Sequence, residues 1–88
     1  MTPYRTTAIF DETTLPAALR REHRTKAGAW GIIRMLEGKL ALVFPDGRRE
    51  MLTPDRTGLI RPEEPHWVEP NGPMRMQVEF YDSDPDVR

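Results

Sequence analysis

Two histidines, His23 and His66, are the side chains of this sequence best suited to chemistry beyond packing. An imidazole titrates near neutrality, and its neutral form takes zinc, copper, nickel or iron. Two histidines with one carboxylate are enough for a centre that keeps positions open to water or ligand. His66 follows a proline in "GLIRPEEPHWVEP" (Gly58 to Pro70), a stretch too rich in proline to be helical. A histidine there is either aimed at something or makes a plain hydrogen bond at a strand end. The acids nearest the histidines in sequence are Glu22, Glu63 and Glu64, and the last two fit a solvated loop better than a ligand set. Arg21, Arg34 and Arg75 line a pocket for a small oxyanion only if strand parity turns them inward; such arginines more often pair with acids on an outer face. Trp30 and Trp67 read as core or rim aromatics with the indole N–H bonded locally. Nucleophilic catalysis has little to build on, since there is no cysteine, the first serine is Ser83, and the threonines have no evident histidine partner.

The elements that must position these residues are strands. Nine prolines and six glycines interrupt the chain too often for a convincing helix, while short β-type runs lie between the breaks. Strands are expected at Thr6 to Phe10, Ala17 to His23, Trp30 to Leu36, Leu40 to Phe44, Arg49 to Leu52, Gly58 to Ile60, His66 to Glu69 and Met74 to Tyr81. The best helix candidate is "DETTLPAALRREHR", with Thr14 as cap and Pro16 in the first turn, but strand ranks ahead of helix there. "PDG" (Pro45 to Gly47), "NG" (Asn71, Gly72) and Gly38 in "LEGKL" supply turn chemistry, and each is expected to join an antiparallel hairpin. In the last strand Met74, Met76, Val78 and Phe80 alternate with Arg75, Gln77, Glu79 and Tyr81, giving one apolar and one polar face. The class is all-β, a small antiparallel barrel or sandwich.

Composition bounds the function. The 88 residues are expected to form one domain, with a fraying tail from residue 82. Thirteen basic residues against fourteen acidic ones generate no field toward nucleic acid or an anionic membrane. The N-terminal "MTPYRTTAIFDETT" lacks the apolar stretch of a signal peptide and no run reaches a membrane span, so the cytoplasm is the expected compartment. A domain this small gains stability by self-association, and a homo-oligomer is expected, with Ile9, Phe10, Val43 and Phe44 as candidate contacts.

Two of these stretches resemble a family. "WGIIRMLEGKL" is similar to the end of the first cupin motif and "GLIRPEEPHWVEP" to the second, with Gly58, Pro62, Pro65 and His66 at the matching kinds of position. "LPAALRREHRTKAGAWG", "EGKL", "LTPDRTGLIRPEEPHWVEP" and "QVEFY" together resemble the TehB/YeaR-like domain family across nearly the whole chain. The resemblance implies a small cupin-like β-barrel, of a kind found alone or ahead of a tellurite-resistance methyltransferase domain. It also implies a site: His66 turned into the barrel, His23 as the remnant of the first motif, and Glu79 in "QVEFY", where the family pattern carries an acid, together holding a divalent metal such as zinc. The chain departs from the cupin pattern. Gly31 stands seven residues before Gly38, where the motif's glutamate is expected, and His23 alone represents the first motif's paired histidines. No glycine-rich nucleotide loop is present, so methyl transfer is not expected of this chain. Three functional readings follow: a small-molecule or metal-binding module associated with tellurite or other oxyanion stress, a metal-dependent cupin enzyme, and a homodimerising interaction module.

Overall fold

Residues 1–85, which the computed structural model describes, form β1 (Arg5–Thr6), β2 (Phe10–Asp11), a one-turn 3-10 helix (Ala17–Arg20), β3 (Trp30–Val43), β4 (Arg49–Leu52), β5 (Gly58–Ile60) and β6 (Trp67–Tyr81). All strand pairs are antiparallel. The long strands β3 and β6 pair from Trp30↔Tyr81 to Val43↔Trp67 and form the spine. β4 and β5 add to the far edge of β3, and β1 and β2 to the far edge of β6, in the order β1-β6-β3-β4. The sheet does not close into a complete barrel, so the all-β expectation stands in its open, sandwich-like form. No helix among the described residues is long and apolar enough to cross a membrane.

Of the three expected hairpins, only the one at Pro45–Gly47 forms. There the amide of Gly47 donates to the Phe44 carbonyl at 3.0 Å and the chain turns from β3 into β4. Gly38 and Asn71–Gly72 instead lie inside β3 and β6, at a shared corner where the register shifts between Met35/Glu37 and again between Gly38/Leu40. The reason is steric. Gly38 has φ +73, and the place a Cβ would take is 2.3 Å from the Pro73 carbonyl oxygen, so only glycine lets the two strands bend together that tightly. The extra residue in β3 also switches the buried face from Ile33 and Met35 to Leu40 and Leu42, while β6 keeps Val68, Met74, Met76 and Val78 inward on both sides of the corner. These side chains, with Leu15, Phe44, Leu52 and Ile60, form one core on the concave side of the bent sheet.

The strand expected over Ala17 to His23 is also corrected. Ala17–Arg20 is a 3-10 turn, and only His23 joins the sheet, as an isolated bridge to His66. Pro16 begins the turn, and the run that follows has no period-two alternation to hold it in a sheet. Upstream, the Asp11 carboxylate accepts from the Thr13 and Thr14 amides at 2.8 Å each, and from both hydroxyls. That local knot, tied again where the Leu15 amide donates to the Asp11 carbonyl at 3.0 Å, places Leu15 in the core. The first expected strand, Thr6 to Phe10, is split into β1 and β2. The tail expected to fray from residue 82 lies partly outside the described residues.

Candidate functional site

The two histidines face each other across a miniature ladder. The amide of His23 donates to the carbonyl of His66 and the reverse, both at 2.9 Å, and the amide of Glu63 donates to the carbonyl of Thr25 at 3.1 Å. "PEEPH" thus forms a stiff loop that delivers His66 to the sheet, with Glu63 held at φ 61 where the chain turns. The rings meet edge to face with centroids 4.2 Å apart.

Each ring is oriented by its own backbone. Nδ1 of His66 lies 2.8 Å from the Glu64 carbonyl oxygen and Nδ1 of His23 lies 2.9 Å from that of Arg21. A carbonyl only accepts, so in both neutral rings Nδ1 carries the proton and Nε2 keeps the lone pair. His66 is 3% exposed, the one ionisable ring buried with the apolar core among the described residues apart from the Tyr81 phenol. Burial pushes its pKa below the ordinary histidine value, with the neighbouring His23 acting in the same direction and the Glu64 carbonyl opposing.

Both rings border a cavity of about 420 Å³ on the concave side of the sheet. Its floor and walls are apolar: Ile33, Ile60, Val68, Met76, Val78 and Phe80. Its charged lining residues among the described residues are Arg5, Arg24 and Lys26, all exposed and therefore at the open side, with no acid among them. None of these three cations makes an ion pair among the described residues; Arg5 lies over the Phe80 ring at 5.8 Å.

The structure brings His23 and His66 together and leaves Glu79 elsewhere. Val78 and Phe80 border the cavity, so Glu79, between them, projects from the opposite face. There its two oxygens accept from Arg34 Nε at 3.1 Å and Nη2 at 3.0 Å, and Oε1 also accepts from the Tyr81 hydroxyl at 3.1 Å. The Arg34 hydrogen bond holds its carboxyl below the usual range; burial opposes it, and the Tyr81 hydroxyl adds a smaller pull in the same direction as Arg34. The expected metal set of His23, His66 and Glu79 is therefore not assembled, and no group of three or more candidate ligands occurs among the described residues. The donors at the cavity, two imidazoles without a carboxylate, do not fit a resident divalent ion with three protein ligands. Of the other residues weighed from sequence, Arg34 and Arg75 pair with Glu79 and Glu37 away from the cavity, and Arg21 does not line it. Glu22 and Glu63 do not line it either, and Glu64 pairs with Arg48 at 2.8 Å. Trp67 donates its indole N–H to Glu69 at 2.9 Å.

Sequence reasoning missed the basic mouth. A signal was present in "HRTK", where two cations follow His23 and no acid occurs from Arg24 to Leu36. Arg5 carried none, because it reaches the cavity only through the pairing of β1 with β6.

Comparison with known proteins fits this architecture. A solved structure of TehB from Haemophilus influenzae superposes with a TM-score of 0.79 at 25% identity over 89% of this chain, which spans 30% of that protein's length. A solved protein from E. coli (strain K12) has the same TM-score at 16% identity, over 89% of this chain and 86% of its own, and shows the shared fold. No curated protein sequence matches the chain. The TehB-like domain model matches residues 5–78, and the chain belongs to that family.

Proposed function

We propose that this protein is a small-molecule-binding module whose site is the cavity bordered by His23 and His66. The observation that carries the reading is the combination of two oriented imidazoles, an apolar wall and a mouth of three cations that, among the described residues, have no ion-pair partner and no acid beside them in the lining. Cavities of about 300–1,000 Å³ with apolar walls and a few converging polar groups are the usual form of small-ligand sites. Positive charge at the mouth favours an anion, since among the described residues the cations have no ion-pair partner to release. Membership of the TehB-like family supports an association with tellurite or other oxyanion stress; within it, our reading gives the module binding and no methyl transfer of its own. Residence in the cytoplasm and self-association through free sheet edges belong to the same proposal; a solution mass of 10.2 kDa at all concentrations would count against the second.

The test is an amide-shift screen of labelled protein against small organic acids, alcohols and amines. The reading expects shifts grouped at Ile33, Ile60, His66 and Val78, and fails if no compound moves them. Elemental analysis of untagged protein tests the alternative. Stoichiometric metal lost in His66→Ala would replace this reading with a metal-binding or metal-dependent one.

A further inference from the structure

We infer that the ligand is an organic carboxylate with an apolar body and, away from its charge, a hydroxyl or N–H donor, and is not an inorganic oxyanion. This rests on the proposed reading of the cavity as a ligand site and adds the chemical class. The cavity divides chemically into three zones. At the mouth, Arg24, Lys26 and Arg5 offer only donors and positive charge, which a carboxylate satisfies. Along the sheet, Ile33, Val68, Met76 and Val78 offer nothing to a polar group, so whatever passes them must be apolar. At the histidine pair the proton of each neutral ring is already committed to a backbone carbonyl, at 2.9 Å for His23 and 2.8 Å for His66. The atoms left are Nε2 lone pairs, and no hydrogen bond engages either among the described residues. A lone pair calls for a donor and repels a carboxylate, so the ligand's anionic end belongs at the mouth and its donor at the rings.

An inorganic oxyanion meets none of this well. It would leave most of the roughly 420 Å³ unfilled, and its charge would face the apolar wall or the acceptor nitrogens once past the mouth.

Four probes at pH 7.5 separate the possibilities: 4-hydroxybenzoate, benzoate, phenol and sodium tellurite, each titrated calorimetrically into the full chain with amide shifts recorded in parallel. The inference expects 4-hydroxybenzoate to bind about threefold to tenfold tighter than benzoate, the range one hydrogen bond supplies, and tighter than phenol. Arg24→Ala combined with Lys26→Ala, both on exposed side chains, should weaken the two carboxylates by at least about threefold and leave phenol unchanged. His66→Phe should erase the difference between 4-hydroxybenzoate and benzoate; if that variant does not fold, 4-methoxybenzoate, which keeps the carboxylate and lacks the O–H donor, makes the same comparison from the ligand side. Tellurite binding tighter than every organic probe, or phenol matching 4-hydroxybenzoate, overturns the inference while the cavity reading survives. Silence from all four at the cavity amides overturns both.

Discussion

Gly38→Ala is the substitution that most directly probes the corner on which the concave sheet depends. An alanine there carries two separate penalties. The backbone sits at φ +73, a left-handed conformation that costs a residue with a Cβ about 1–2 kcal/mol, partly offset by about 0.4–1 kcal/mol from a less flexible unfolded chain. The new Cβ also falls 2.3 Å from the Pro73 carbonyl oxygen and 3.0 Å from the Met74 Cα. Both are backbone atoms, so β3 and β6 must separate, at about 1–3 kcal/mol on the scale of overpacked cores. The sum is about 2–4 kcal/mol, or roughly 10–30 °C of melting temperature for a domain of this size. Gly72→Ala is the internal control, because Gly72 lies in the same corner at φ +96 with nothing within 4 Å of its Cβ position. It should lose only the conformational part, about 1 kcal/mol and roughly 4–8 °C. Thermal melts of both variants by circular dichroism decide the matter. Melting temperatures within a few degrees of each other would refute the steric account of the corner.

Three further outcomes are expected. His66, whose folded pKa lies below its unfolded value of about 6.5 through burial, adds its full stability above that pH; as pH falls, the unfolded chain takes the proton first and stability drops until the folded ring, facing His23 and Glu64, is itself protonated. Urea midpoints should therefore decline below about pH 6.5 more steeply in the wild type than in His66→Gln, and parallel curves would contradict this. The Asp11 carboxyl, held down to about 2 by the Thr13 hydroxyl and the amides of Thr14 and Thr13, stabilises above its unfolded pKa and loses that contribution as pH falls toward about 2. Asp11→Ala should accordingly lower the urea midpoint at pH 7 and change it little at pH 2. A double-mutant cycle on Arg34→Met and Glu79→Gln should give a coupling of about 0.5–1 kcal/mol, with ligand affinity at the cavity unchanged in either single variant.

What the sequence disclosed followed the reach of local chemistry. The alternation of Met74, Met76, Val78 and Phe80 is a period-two pattern that the backbone enforces, and those residues do face the core. Proline before His66 fixed the loop, and His66 is buried. The glycines at 38 and 72 announced positive φ correctly, but positive φ serves a bulge as well as a hairpin, and the choice depended on a partner strand some 35 residues away. Ala17 to Arg20 failed as a strand because its few apolar residues have no face of period two, and Leu19 alone packs against the core. Glu79 was placed on the polar face, and that same alternation which kept it off the apolar core also kept it away from the histidines. The basic mouth assembles from β1 and the segment after His23, a juxtaposition that no local pattern encodes.

The central claim is that the His23–His66 pair forms the wall of a ligand site through its two Nε2 atoms, and imidazole nitrogen resonances report on it directly. Long-range proton–nitrogen spectra of histidine-labelled protein at pH 7.5 should show both rings protonated at Nδ1, as their carbonyl contacts of 2.9 Å and 2.8 Å require. Addition of 4-hydroxybenzoate should then move both Nε2 resonances and leave the Nδ1 resonances nearly in place. Rings protonated at Nε2, or Nε2 resonances unmoved by saturating ligand while amides near Arg34 and Glu79 shift, would contradict the account.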